Sequence, residues 1–179
     1  MIRTLFVTAR ILLAIAWLVW LIFLFIPQVE FVVHGSSSYN NLFNGFVVTA
    51  AAFFFMLLEI LDFSTMRPAS SALAVVSFAI ALNVLLFIAS PFTLIKLKAG
   101  NLTHKSVYWI LNVVCLILFV PAIPQILKPP DTQDGMIASY YQLLLPNFFL
   151  WLAAQVALTL ASSARLLGEY IASRQEIVL

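Results

Sequence analysis

The chain has 179 residues, of which 64% are hydrophobic and 9% charged, and its mean hydropathy is +1.09. Soluble domains carry about a quarter charged residues, so this composition excludes a soluble globular domain and points to an integral membrane protein. A formal net charge of +2 without a basic run argues against nucleic-acid partners, and the single cysteine, Cys115, excludes an internal disulfide and disfavours a thiolate-ligated metal.

A helix needs about 20 largely apolar residues to cross the hydrocarbon layer. Five stretches meet that length, at roughly 5–26, 42–62, 71–95, 107–127 and 144–167. The expected fold class is therefore all-α, an integral membrane bundle of about five transmembrane helices with short connectors. It forms a single multi-span domain over residues 1–179, with a short tail at 168–179. Residues 1–26 read as a retained span and not as a cleaved leader, because the apolar run is long, rich in Trp and Phe, and lacks a small-x-small cleavage pattern.

In the first span, Arg10, Leu13, Trp17 and Trp20 fall on one side at helical spacing. Tryptophan usually gathers at membrane interfaces, so a pair near the centre of a span indicates packing against protein or a bound apolar molecule. The connector from Pro27 to Asn41 holds Glu30, His34 and a Ser/Asn-rich run that suits helix caps and solvent. The second span carries Glu59 and Asp62 in line, with Arg67 in the turn beyond. Carboxylates within an apolar span are costly and mark a pairing partner or a wet cavity. An Arg10–Glu59 ion pair joining the first two spans, with Asp62 and Arg67 nearer the headgroups, answers that cost.

The third span presents Ala72, Val76, Ala79, Asn83 and Ser90 on one strip. Small residues let helices approach closely, and a buried amide can hydrogen-bond across the contact, so Asn83 is expected in polar packing, as is Asn112 of the fourth span. Pro91 should kink or end the third span. The next connector holds Lys96, Lys98, His104 and Lys105, and a glycosylation sequon at Asn101-Leu102-Thr103. Tyr140 and Tyr141 suit the headgroup level. In the fifth span, Ala153, Ala157 and Ala161 recur every four residues, a ridge for a close helix contact.

Five alternating crossings put Arg3, Arg10, Arg67 and Lys128 on one side and Lys96, Lys98, Lys105, Arg165 and Arg174 on the other. That near balance orients the chain only through the first span, which favours a cytoplasmic N-terminus and an external sequon. His34 and His104 lie in connectors, and neither a catalytic triad nor a phosphate-binding loop is present in the sequence. The expectation is a non-catalytic multi-pass protein with no cofactor and no metal site. It would act as an accessory subunit or scaffold of a larger membrane assembly, or as a homo-oligomer, among membrane lipids. The alternative is a small carrier, channel or lipid-binding protein, with Glu59, Asp62, Asn83 and Asn112 lining a pathway.

Overall fold

The computed structural model describes residues 2–33, 41–44, 46–47, 49–51, 53–54, 70–96, 102–119, 139–143 and 145–176. Helices dominate them: α1 (Ile2–Phe25), α2 (Ser70–Pro91), α3 (Leu102–Phe119) and α4 (Leu145–Glu176). The described residues within 46–54 outside the gaps are helical as well. Three of these helices contain stretches long and apolar enough to cross a membrane: Ile2–Phe25, Phe78–Ile95 and Phe149–Arg174. The apolar part of α3, Leu102–Leu118, is shorter.

Each helix is apolar nearly all round, as expected of a span whose outer surface meets lipid. In α1 the buried line Ala9, Leu13, Ala16, Trp20 and Phe23 recurs at three- and four-residue spacing, while Val7, Ile11, Ile15 and Leu18 stand exposed on the opposite side. At the end of α2, Pro91 has no N–H to give to the Phe87 carbonyl. The Ser90 hydroxyl donates to that carbonyl instead, at 2.7 Å. A single π-helical turn, Phe92–Lys96, then closes the helix, a local widening of the kind that accommodates such a break.

Side-chain pairs fix the directions of the helices. Along α1 and α2, Trp17 meets Ser90 and Trp20 meets Asn83; along α2 and α3, Leu86 meets Tyr108 and Ala79 meets Cys115. Along α3 and α4, Lys105, Trp109 and Asn112 meet Glu169, Ser163 and Gln155 in turn. Finally, Phe6 near the start of α1 lies under Arg165 of α4, and Phe23 near its end stacks on Trp151. Every one of these neighbouring pairs is antiparallel.

Five alternating crossings would have set α1 parallel to both the span at 71–95 and the last helix, whereas both run antiparallel to it. The start of α1 therefore shares an end of the bundle with the close of α4. The span expected at 42–62 lies in part outside the described residues, and its described part opens with the strand Asn41–Asn44.

The opposite end carries a small sheet that the all-α expectation did not include. Strands β1 (Pro27–Val33), β2 (Asn41–Asn44) and β3 (Ser139–Leu143) pair in the order β2-β1-β3, antiparallel throughout. Val29 lies opposite Leu143 and Val33 opposite Ser139, with Phe31 beside Asn41 on the other side and a bulge after Pro27. The Val- and Phe-rich run from Val29 to Val33 favours a pleated strand, and β1 follows α1 almost directly, where β3 leads into α4. Tyr140 and Tyr141, expected at the headgroup level, are residues of β3.

Two helix boundaries also differ from the expected spans. Helix α3 starts at Leu102, which draws Lys105 out of a connector and into the helix. Helix α4 runs 32 residues to Glu176, continuing through Glu169, Tyr170 and Arg174 as a helical tail would, but with Glu169 buried and not exposed.

Candidate functional site

A chain of amides crosses the middle of the bundle. Asn83 of α2, Asn112 of α3 and Gln155 of α4 are all fully buried. Trp20 of α1 donates its indole N–H to Asn83 Oδ1 at 3.2 Å, and Asn83 Nδ2 donates to Gln155 Oε1 at 2.7 Å. Gln155 Nε2 donates to Asn112 Oδ1 at 3.1 Å and to the Asn112 carbonyl at 3.3 Å. Asn112 Nδ2 ends the chain on the Tyr108 carbonyl at 2.8 Å. One directional relay thus joins all four long helices. An amide left unpaired in an apolar interior costs several kcal/mol, so each member makes the next affordable to bury.

Aromatic side chains hold the relay in place. The Trp20 ring stacks on Phe87 at 4.9 Å with 9° between planes, and Trp17 meets both edge-on. Trp17 Nε1 donates to Ser90 Oγ at 2.9 Å, and Tyr108 donates its hydroxyl to the Leu86 carbonyl at 2.8 Å. Nearer the basic end, Trp109 Nε1 donates to Ser163 Oγ at 2.8 Å. The tryptophans near the centre of α1 are interior anchors whose N–H groups all find acceptors, the arrangement that lets an indole be buried.

A second polar group lies at the end where α1 begins. Lys105 of α3 pairs with Glu169 of α4; their side chains are 0% and 2% exposed. Arg165, one turn before Glu169, brings Nε to 2.8 Å from the same oxygen, Oε1. Its N–H direction misses that oxygen, so the contact is ionic and not a hydrogen bond, and Glu169 Oε2 has no hydrogen-bond partner among the described residues. The Arg165 guanidinium lies over the Phe6 ring at 4.5 Å. Helices α1 and α4 can approach this closely because residue 168 is glycine: a Cβ there would come within 2.7 Å of Phe6 Cε1.

All the Lys and Arg among the described residues, Arg3, Arg10, Lys96, Lys105, Arg165 and Arg174, belong to this end of the bundle, whereas Glu30 lies at the sheet end. Among the described residues this gathers the basic groups at one end, because antiparallel α1 and α4 bring their terminal basic residues together.

Of the residues singled out from the sequence, Asn83 and Asn112 meet through Gln155. Arg10 is exposed on α1, and its expected partner Glu59, with Asp62 and Arg67, lies outside the described residues. Along the alanine ridge, expected to meet a helix of this chain or of another subunit, Ala161 is buried, Ala157 half-buried and Ala153 exposed. The buried strip of α4 instead runs through Trp151, Ala154, Gln155, Leu158, Ala161 and Ser162. Sequence reasoning missed Gln155, although a glutamine inside an apolar span is the same signal that marked the two asparagines. It also missed Lys105 and Glu169, which were read as connector and tail.

Among the described residues, no three of His, Cys, Asp and Glu gather as a metal-binding group. The chemistry on offer is hydrogen bonding between neutral amides in the middle and ion pairing with excess positive charge at one end. No protein-family model, curated protein or solved structure matches this chain.

Proposed function

We propose that this chain is a non-catalytic multi-pass membrane protein that serves as a structural subunit or scaffold of a larger membrane assembly. The observation that carries the reading is the relay from Trp20 through Asn83, Gln155 and Asn112 to the Tyr108 carbonyl. Its amides bond to one another and so lock the four helices, an arrangement that supports holding a shape more than passing a solute. Exposed apolar side chains on every helix, such as Leu18, Leu85, Ile117 and Leu160, offer surface to lipid and to neighbouring spans.

The alternating directions of α1, α2, α3 and α4 support an even number of crossings, four, with both outer ends on one side. The basic residues of that end support placing it in the cytoplasm. In this orientation the Asn101 sequon, just before the first residue of α3, is cytoplasmic along with the start of α1. That reverses the external location expected from five crossings.

A carrier or lipid-binding role is the second reading, favoured by the buried Lys105–Glu169 pair, since ionised side chains inside a membrane bundle commonly mark a pathway. Purification of the full chain in mild detergent, with mass analysis of the intact complex, separates the two. Stoichiometric protein partners support the subunit. A chain free of partners that carries ion or solute flux in reconstituted vesicles would replace that reading with the carrier.

A further inference from the structure

We propose that Arg3, Arg10 and Arg165 form a binding site for the phosphate of an acidic phospholipid, built around the Phe6 ring at the basic end of the bundle. On a helix, the side-surface neighbours of a residue are those three and four positions away. Arg3 precedes Phe6 by three and Arg10 follows it by four, so the two guanidinium groups flank the ring along α1. From α4, the Arg165 guanidinium lies over the same ring at 4.5 Å. The ring that Arg165 covers thus lies on the side of α1 that carries Arg3 and Arg10, both of them exposed.

Among the described residues, positive charge outnumbers negative charge at this end. Lys105 and Arg165 share one oxygen of Glu169, and Arg3 and Arg10 add two further cations from α1. Glu176, the other acidic residue described at this end, lies about 10 Å further along α4 by helical rise. Excess positive charge in a partly dry site is relieved by an approaching anion. Arginine suits phosphate in particular, because its planar fork gives paired hydrogen bonds to two phosphate oxygens.

The surroundings point to a lipid and not to a free anion. Arg3 and Arg10 are separated by about 10 Å along the helix, a distance comparable with the depth of a headgroup layer. Between and beside them on the outer surface of α1 are Val7 and Ile11, 49% and 55% exposed, which suit acyl chains. A soluble phosphate makes no use of such surface.

The test is native mass spectrometry of the full chain in detergent, with phosphatidylglycerol or phosphatidylcholine added in turn. The wild type is expected to retain phosphatidylglycerol preferentially. Arg3→Gln with Arg10→Gln should reduce that retention by roughly tenfold or more, since each basic residue contributes attraction to an anionic lipid. Arg174→Gln, set against Arg3→Gln alone, removes the same single charge from the same end, but Arg174 is engaged with Tyr170, and that variant should retain the lipid. Equal retention of the two lipids would overturn the site, as would an equal loss in Arg174→Gln, which would reduce the effect to general attraction. Inorganic phosphate forms the last arm: displacement of the lipid by millimolar phosphate would make this a site for a free anion and refute the lipid assignment.

Discussion

The middle of the bundle and its basic end are both polar regions within an apolar protein, and they are balanced differently. In the middle, Asn83, Gln155 and Asn112 are neutral, and donors and acceptors match along a single relay. At the basic end, two cations converge on one oxygen of one carboxylate, and the partner oxygen has no donor among the described residues. A matched neutral network needs nothing from outside and serves packing alone. A cluster with surplus charge is stable only in a setting that supplies counter-charge, which is why the external ligand is sought there and not at the relay.

Substitutions at the two regions should separate these behaviours, and the largest effect is expected at Glu169. Glu169→Gln removes the carboxylate that Lys105 pairs with in a fully buried position. It should lower stability by about 3 kcal/mol, the low end for breaking a buried ion pair, measured as denaturant-induced unfolding in detergent. Next comes Gln155→Leu, which strands both the Asn83 amide and the Asn112 oxygen and should cost about 2 kcal/mol by the same measurement. The triple change of Asn83, Gln155 and Asn112 to Leu should recover part of that loss, because of the relay's side-chain groups only the Trp20 indole N–H then lacks its partner. If the triple variant is worse than Gln155→Leu by the full further increment of two more deletions, the relay does not act as a unit.

Gly168→Ala sharpens the comparison at the contact between α1 and α4. The added methyl would meet Phe6, whose ring is capped by Arg165, so a loss of about 1–2 kcal/mol from overpacking is expected. The smallest effect is expected for Trp17→Phe, which keeps the ring against Phe87 but removes the hydrogen bond to Ser90; about 1 kcal/mol is expected. Orientation has its own test. With the basic end in the cytoplasm, Asn101 should stay unglycosylated in a eukaryotic membrane, whereas a sequon introduced within residues 34–40 should be modified. A glycosidase-sensitive gel shift reads both.

Much of the relay was legible in the sequence, because an amide within an apolar span is conspicuous and the spacing of Leu13, Trp17 and Trp20 gives the inward side of α1. Gln155 was obscured by its setting. The fifth span has small residues on several sides, at Ala153, Ala154, Ala157, Ala161 and Ser162, so more than one ridge is geometrically available. Packing selects the ridge through Ala154 and Leu158, which carries Gln155 inward.

The basic-end cluster was hidden for another reason. Windows of apolar residues stop where charge begins, yet α3 and α4 continue as helices through Lys105 and Glu169, and helical spacing persists beyond the apolar window. Strands β1 and β2 were masked by the Ser- and Asn-rich run at 36–41, which reads as a loop. Helix direction is not a local property at all. Counting apolar stretches gave parallel outer helices, and only tertiary pairs such as Phe6 with Arg165 and Phe23 with Trp151 reveal the antiparallel order.

That antiparallel order underlies both the charge asymmetry and the proposed lipid site, and a designed disulfide tests it directly. A Cβ at residue 168 would lie 3.4 Å from Leu5 Cβ, close to the separation a disulfide requires. In a Cys115→Ser background, Leu5→Cys with Gly168→Cys should cross-link on mild oxidation. With a protease site placed within residues 120–138, the two halves should then stay together on a non-reducing gel. Failure of that pair, together with cross-linking of Leu5→Cys to Phe149→Cys near the opposite end of α4, would contradict the arrangement.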